Sequence, residues 1–390
     1  MDFKDILREK LQPADENPYD LLSGEQPVRD LYYLKEMSPT ALKVLFLLSD
    51  TGGCGFYRGL LPAATVNKNF STEVNVVTTT VLSADDHNIN AEYPKWDVVV
   101  CQRSDSLRNL LTVKLIRHKL KAKLVYESDD DFFHLDPKSP SYAGFPKDRL
   151  DRMRDYIRTC DAVTVTNSSL QTIYQELNPN VVVIPNAVDI EMFAKVRKKK
   201  EDYDKEHIVI GWTGSATHYT DLLPFVDAIK FILEKYKNVS FLLGGWDTCG
   251  FFPDIHPSRI IRIPWTRNML EHIENVGKMD IGVCPLADIK FNESKSNLKF
   301  LELAAAGIPA IVSDVMAYDA VKDGKHGLRV KTTGKVTQHW ITAMETLIND
   351  RKLRQQYGRA GFELVNAKFN IKNISSQWVD FYGGLAKCKI

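Results

Sequence analysis

The sequence predicts an α/β protein of two Rossmann-like, doubly wound domains that face each other across a cleft. Three observations carry this expectation. Short apolar runs alternate with helical stretches along most of the chain, and the rhythm restarts after a charged break near residue 200. The length of 390 residues also exceeds one ordinary core and suits two domains of about 150 to 200 residues each.

Residues 1–40 form an extension in which Phe3, Ile6, Leu7 and Leu11 are spaced like one face of a short helix. A first domain is expected over 41–194, with strands at KVLFLL (43–48), EVNVVTTTV (73–81), WDVVVCQ (96–102), KLVYE (123–127), DAVTVT (161–166) and NVVVIP (180–185). Such short, almost wholly apolar strands belong to a parallel sheet covered on both faces. The run KVRKKKEDYD has charge without apolar period, so 195–206 is expected to be a solvated linker. The second domain, 207–369, repeats the pattern with strands at 207–212, 239–245, 259–264, 279–286, 308–313 and 327–331. Helices fit between them at 221–236, 266–277, 297–306 and 336–349. The segment 370–390 carries Trp378, Phe381 and Tyr382 at helical spacing and is expected to pack back on the first domain.

With 44% hydrophobic and 26% charged residues the composition is that of a globular protein, not a disordered or fibrous one. Lys plus Arg (51) balances Asp plus Glu (50), which removes any global argument for a polyanionic partner. The six cysteines lack CxxC or zinc-like spacing and read as reduced thiols. The amino-terminal segment is interrupted by charge and no run approaches a membrane span, so a cytoplasmic location, with peripheral membrane association left open, is expected.

In doubly wound sheets ligands bind beyond the carboxyl ends of the strands, where helix N-termini offer free N–H groups. Three loops have suitable chemistry. After the first strand, Gly52, Gly53 and Gly55 permit positive φ and close approach of a ligand, and Arg58 adds a charged fork; alone, the segment is equally a tight turn. At the matching place in the second domain, Gly211-Trp212-Thr213-Gly214-Ser215 leads through His218 to Thr220 or Asp221 as a helix cap, an arrangement suited to phosphate or to a plain strand-to-helix turn. His218 is either a hydrogen-bonded surface residue or a ligand contact. The third loop is FNESKSNLKFLE, 291–302. Ser296 or Asn297 caps a helix ended by Gly307 and Pro309, so Lys295 and first-turn amides, including that of Leu298, converge on a point suited to a diphosphate. Glu302, on the same helix face as Lys299, then suits ribose hydroxyls; the alternative is a solvated Lys299–Glu302 pair.

Together these features resemble the retaining GT-B glycosyltransferases of the family 4 (glycosyl transferases group 1) type. The likeness runs over most of 42–370 and rests on the Gly52-Gly53 loop with Arg58, Ile184 to Asp189, Gly211 to Ser215, and Met279-Asp280-Ile281 leading into FNESKSNLKFLE and AAAGIPAIVSD. It implies transfer of a sugar from a UDP- or GDP-sugar to an acceptor hydroxyl with retention, with the nucleotide sugar as co-substrate, no obligatory cofactor and no metal. The donor-binding set it implies is Gly52, Gly53, Thr213, Gly214, Ser215, His218, Pro264, Trp265, Ser294, Lys295, Ser296, Asn297, Leu298 and Glu302. Arg58 and Lys295 are the expected cations at the leaving phosphate, and Asp129 or Asp130 is expected near the acceptor hydroxyl.

The chain departs from the family at Ser294, where the first of two glutamates is expected, with Glu293 beside it as a substitute of reversed facing. The family's acceptor-side histidine is replaced by Ser128-Asp129-Asp130-Asp131, with His134 nearby. Four alternatives stay in view. The DxD within 129–131 suits a metal-dependent single-domain transferase, which leaves the second half unexplained. A dehydrogenase would need GxGxxG and a following acid, which neither loop has. A GT-B-like epimerase, or a nucleotide-sugar binding protein without transfer activity, fits the change at Ser294. The acceptor is expected to be a glycan or lipid-linked glycan, the minority reading being modified bases in phage DNA, drawn from the basic run at 195–200.

Overall fold

The computed structural model describes residues 38–80, 96–204, 206–246, 249–266 and 268–387; the helix expected around Phe3 to Leu11 lies outside them. All twelve expected strands form, in two all-parallel sheets of six. In the first, β1 (Leu42–Leu47), β2 (Val74–Thr79), β3 (Val98–Gln102), β4 (Lys123–Ser128), β5 (Ala162–Val165) and β6 (Val181–Val183) stand in the order β2-β1-β3-β4-β5-β6. In the second, β7 (Ile208–Gly214), β8 (Val239–Gly245), β9 (Ile260–Pro264), β10 (Ile281–Cys284), β11 (Ala310–Ser313) and β12 (Leu328–Val330) stand in the order β12-β11-β10-β7-β8-β9. The order reverses between β1 and β3 in one sheet and between β7 and β10 in the other, and those two crevices are where doubly wound sheets bind ligands.

The first helix, α1, runs over 53–69 and is not uniform: Gly53–Gly55 is α-helical, Phe56–Leu60 is π-helical, and Leu61–Asn69 returns to α. The widened turn places Tyr57 and Arg58 on it, and such segments concentrate at functional sites. Gly52 and Gly55 have ordinary negative φ values of −84° and −62°, contrary to the expectation of positive φ. Gly55 is required for another reason: a Cβ there would lie 1.7 Å from the Asp50 carbonyl oxygen.

Helices α2 (Leu107–Leu120), α3 (Lys147–Thr159) and α4 (Ser168–Gln175) complete the first domain. In the second, α5 (Tyr219–Lys235), α6 (Met269–Gly277), α8 (Leu298–Ala305) and α9 (Val336–Asn349) lie close to their expected positions, and a short helix not expected from the sequence, α7 (Lys290–Glu293), stands between α6 and α8. The sequence reading omitted α10 (Arg351–Lys368), capped by the Asp350 side chain on the Leu353 amide at 2.9 Å. Gly307, at φ 70°, ends α8 as a left-handed cap. The last helix, α11 (Ile371–Lys387), returns to the first domain, where Trp378 meets Phe46 edge-on at 6.5 Å.

The chain crosses between the domains near 188–207 and again near 370, and the two passages pair as a parallel bridge between Val188 and Asn370. The run at 195–200 is solvated only in part: Lys195, Lys199 and Lys200 are exposed. Lys198 forms a buried ion pair with Asp280 at 3.0 Å, and Arg197 lies over the Phe362 ring at 4.3 Å.

Candidate active site

The second-domain crevice is built by the ends of β7 and β10. Past β7, Ser215 and Thr217 bond to each other at 2.8 Å. The identity of Gly214 is set by packing, since a Cβ there would sit 2.4 Å from the Trp212 ring. His218 precedes α5 with only 7% of its surface exposed, and its Nδ1 lies 2.6 Å from Asp221 Oδ2. Neither Thr220 nor Asp221 caps α5 as expected. Asp221 instead accepts from His218, from the Ala287 amide at 2.8 Å and from Asn292 Nδ2 at 2.5 Å, tying the β10 loop to α5, while Thr220 donates to Asp136 of the first domain at 2.6 Å. Burial, with Lys299 adding to it and Asp221 opposing, lowers His218 to about 4, so the imidazole is neutral near pH 7. A carboxylate only accepts, so Nδ1 carries the proton and Nε2 keeps a lone pair.

Past β10 the chain makes α7, then Ser294 to Asn297, then α8. Asn297 stands at the N-cap position of α8 but makes no side-chain capping bond, and Ser296 Oγ is turned to Asn186 Nδ2 at 3.0 Å. The first-turn amides of Leu298, Lys299 and Phe300 therefore lack partners among the described residues. Lys299 makes no ion pair or hydrogen bond among the described residues and lies over the Trp212 ring at 5.9 Å. The Lys299–Glu302 pair does not form. Glu302 Oε1 accepts instead from Tyr57 Oη at 2.8 Å and His272 Nε2 at 3.0 Å, so this buried carboxylate joins the two domains. Burial opposes its charge, but His272, Tyr57 and Lys299 outweigh that and hold Glu302 below the usual carboxylate value. The Lys299 ammonium is held below its usual value by burial, with Glu302 opposing and Lys295 adding to it.

Lys295 reaches the other way and pairs with Asp130 of the first domain at 2.8 Å, with the Phe291 ring 4.4 Å beneath it. Asp130 also accepts from Arg103 at 3.1 Å, and the same guanidinium binds Asp129. Burial works against charge on Asp130, but Lys295 and Arg103 prevail and hold its carboxyl low. Asp131 turns away from both neighbours, accepting from the Phe133 amide at 3.0 Å and facing His134 Nδ1 at 2.7 Å. Asp131 thus diverges from Asp129 and Asp130, which converge on Arg103, and no cluster of three His, Cys, Asp or Glu suited to a metal occurs among the described residues. Arg103 has a φ of 48°, a strained value for a branched-chain-free but bulky residue, and it is the site residue the sequence reading missed most clearly. Tyr57 and His272 were missed with it.

Two expectations need correcting. Arg58 does not face the cleft: it is 1% exposed, its Nε donates to Glu127 Oε1 at 2.6 Å, its Nη1 donates to the Ile184 carbonyl at 2.7 Å, and Trp378 covers it at 5.2 Å. It is a core ion pair, out of reach of a leaving phosphate. Glu293 does not stand in for the missing acid, because it points to solvent and pairs with Lys290 at 2.8 Å. Ser294 is buried, with Oγ donating to the Phe291 carbonyl at 2.9 Å and its own carbonyl taking Asn167 Nδ2 at 2.7 Å. Gly52 and Gly53 begin α1 on the first-domain side, Thr213 ends β7 beside Gly214, and Pro264 and the 55% exposed Trp265 stand at the end of β9.

Two parallel doubly wound sheets joined across a cleft by Tyr57–Glu302 and Lys295–Asp130 make the GT-B architecture. Residues 207–350 match the family described as glycosyl transferases group 1. No curated protein matches the sequence. Among solved structures, Anabaena HepE in complex with UDP and glucose is similar at a TM-score of 0.60 and 14% identity, over 88% of this chain and 100% of that one. Sucrose-phosphate synthase from Thermosynechococcus elongatus gives 0.63 and 14%, over 90% and 100%. A glycosyltransferase from Rickettsia africae gives 0.59 and 12%, over 90% and 100%. At such identities these likenesses establish the fold.

Proposed function

We propose that the protein transfers a glycosyl unit from a UDP- or GDP-sugar to an acceptor hydroxyl, with retention at the anomeric carbon and without an obligatory metal. The observation that carries this reading is the unpartnered Lys299 ammonium beside the uncapped N-terminus of α8. A half-buried cation in the first turn of a helix whose leading amides are free is suited to a diphosphate leaving group, and fixed positive charge of this kind is usually the largest catalytic term. Lys295 adds a second cation once it exchanges Asp130 for phosphate. The HepE complex with UDP and glucose supports a uridine nucleotide. Glu302 remains the residue for the ribose, held in place by Tyr57 and His272. Asp129 and Asp130 sit where an acceptor from the first domain would meet the sugar.

A lipid-linked glycan as acceptor is supported by α2. Residues 106–126 contain no acid, and the helix exposes Leu107 (58%) and Leu111 (59%) one turn apart beside Arg108, Lys114 and Lys119. A cationic face with exposed leucines suits a membrane surface. No helix among the described residues is long and apolar enough to cross a membrane.

The test is incubation with a panel of UDP- and GDP-sugars, following nucleotide release with and without acceptor glycans and with EDTA. Acceptor-dependent release that survives EDTA is the expected result. No turnover of any donor would sink the transferase reading in favour of a nucleotide-sugar binding protein, and a change in the sugar's configuration without transfer would favour an epimerase.

A further inference from the structure

The loop that leads into α8 is gripped by the first domain at three points. Asn167, the N-cap of α4, donates from Nδ2 to the Ser294 carbonyl at 2.7 Å and to the Lys295 carbonyl at 3.4 Å, while its Oδ1 takes the Leu170 amide at 2.9 Å. Asp130 takes the Lys295 ammonium at 2.8 Å. Asn186 supplies the third point, donating from Nδ2 to Ser296 Oγ at 3.0 Å. Asn186 follows β6, is 3% exposed and is oriented from behind, where Arg58 Nη1 donates to its Oδ1 at 3.3 Å. A guanidinium only donates, so the amide oxygen faces Arg58 and the amide nitrogen is left for Ser296.

The consequence lies in what Ser296 does not do. Asn297, at φ −84° and ψ 16°, lacks the extended backbone typical of an N-cap, which leaves Ser296, the residue before it, to supply a capping hydroxyl to α8. That hydroxyl is turned to Asn186 instead, and the amides of Leu298, Lys299 and Phe300 keep no partner among the described residues. A capping bond and a bond to a buried amide are of similar strength, so Asn186 decides between them. Asn167 holds the backbone at Ser294 and Lys295 whichever way the hydroxyl turns, so the choice belongs to one side-chain rotor. A serine hydroxyl both donates and accepts, so either edge of the Asn186 amide can hold it, and loss of Arg58 alone does not release it.

We propose that Asn186 is a positioning residue of the donor site: by holding the Ser296 hydroxyl it keeps the N-terminus of α8 uncapped, so that the diphosphate of the nucleotide sugar, and not a side chain of the protein, takes the first-turn amides. The inference rests on the transferase reading and adds to it the device that keeps the anion site open. Ser296 then serves the site by standing clear of it, and the first domain, through one buried amide, sets the state of a helix in the second.

Calorimetry with UDP and GDP, and hydrogen exchange of the Leu298, Lys299 and Phe300 amides in the nucleotide-free full chain, test this. In Asn186→Ala the freed hydroxyl is expected to cap α8, so that those amides exchange about 5-fold more slowly and the nucleotide binds about 5-fold more weakly, the equivalent of one capping bond. Adding Ser296→Ala removes the cap. The N186A/S296A protein should therefore return both readouts toward the unchanged protein, a reversal that plain damage to the packing around Asn186 would not give. Asn186→Ser, whose hydroxyl ends one bond short of Ser296, is read in the same way should N186A fail to fold. Unchanged exchange and affinity in the folded variant, or a double variant that binds no better than N186A, would overturn the proposal. Nucleotide binding that ignores Asn186 removes its positioning role and leaves the transferase. Exchange that responds as expected in a protein that binds neither UDP nor GDP removes the donor site, and the donor role of Asn186 with it, and leaves only the hold on Ser296.

Discussion

The two crevices have the same topological position in their sheets and opposite electrostatic finish. At β1/β3, Arg103 and Arg149 are paired with carboxylates, and Asp50 is spent on the start of α1. At β7/β10, Lys299 lacks a partner among the described residues, α8 is uncapped, and the buried His218 is neutral. A folded protein leaves a half-buried ammonium unmatched only against a loss of stability. The difference teaches that equivalent positions in two like sheets can carry paired charge on one side and an uncompensated cation on the other. It also separates two cations that look alike in sequence, Arg58 and Lys299, one ion-paired in the core and the other without an ion pair among the described residues in the first turn of α8.

The largest expected effect breaks the comparison on the paired side. Arg58→Ala leaves Glu127 alone in the core, where burial already pushes its carboxyl up to about 7 despite Arg58, and a stability loss of about 3 to 5 kcal/mol is expected in urea unfolding. Turnover per folded molecule should hold; a loss of turnover at unchanged stability would return Arg58 to the catalytic list. Next comes acid sensitivity on the other side. His218 has a folded value of about 4, below the ordinary 6.5, so the unfolded chain takes the proton first. Stability from this residue is full above about pH 6.5 and is lost as pH falls toward 4, by about 3 kcal/mol in all. His218→Gln should flatten that part of the pH–stability profile, and an unchanged slope would mean that His218 is not the group responsible.

Lys299→Met sharpens the comparison most directly, because activity and stability should move in opposite directions. Loss of one preorganised cation at the leaving group is expected to reduce donor turnover about 100-fold. The same change removes a cation that burial disfavours, so stability should rise by about 1 kcal/mol near pH 7. The folded ammonium value is lowered, so the destabilising effect is full at low pH and fades as pH rises toward the unfolded value. The gain in K299M should fade over the same range. A fall in both activity and stability would make Lys299 a packing residue.

Legibility in the sequence followed the range of the interactions. Strand period and apolar runs are local, and all twelve strands appear where the pattern puts them. The helix over 298–305 and its end at Gly307 were equally readable, because apolar period and positive φ are local too, but the expected side-chain cap from Ser296 or Asn297 does not form. What failed was pairing over long separations. Nothing local says that Arg58 will find Glu127 on β4, that Tyr57 will cross to Glu302, or that Asp130 will be shared between Arg103 and Lys295. Lys198 was misread for the same reason, its partner Asp280 lying 82 residues further along the chain. The α2 face is legible in the sequence as an acid-free run with leucines and lysines, less conspicuous than the basic block at 195–200.

The smallest expected effect tests the contact between the two sides. Tyr57 stands on the π-helical turn of the first domain and donates at 2.8 Å to Glu302 of the second, while its ring meets Phe56 edge-on at 5.0 Å. Tyr57→Phe keeps the ring and removes only the hydroxyl, and His272 still holds the same carboxylate oxygen at 3.0 Å. With the charge on Glu302 still partly compensated, a stability loss of about 1 to 2 kcal/mol is expected. The Tyr57 hydroxyl also helps to keep Glu302 ionised, so its carboxyl should titrate higher in the variant, a change that carboxyl-labelled NMR would read. If Glu302 serves the donor ribose, nucleotide affinity should weaken by only a few-fold, because the carboxylate stays in place. A collapse of nucleotide binding in Y57F would instead mean that the first domain, through this one hydroxyl, organises the anion site of the second.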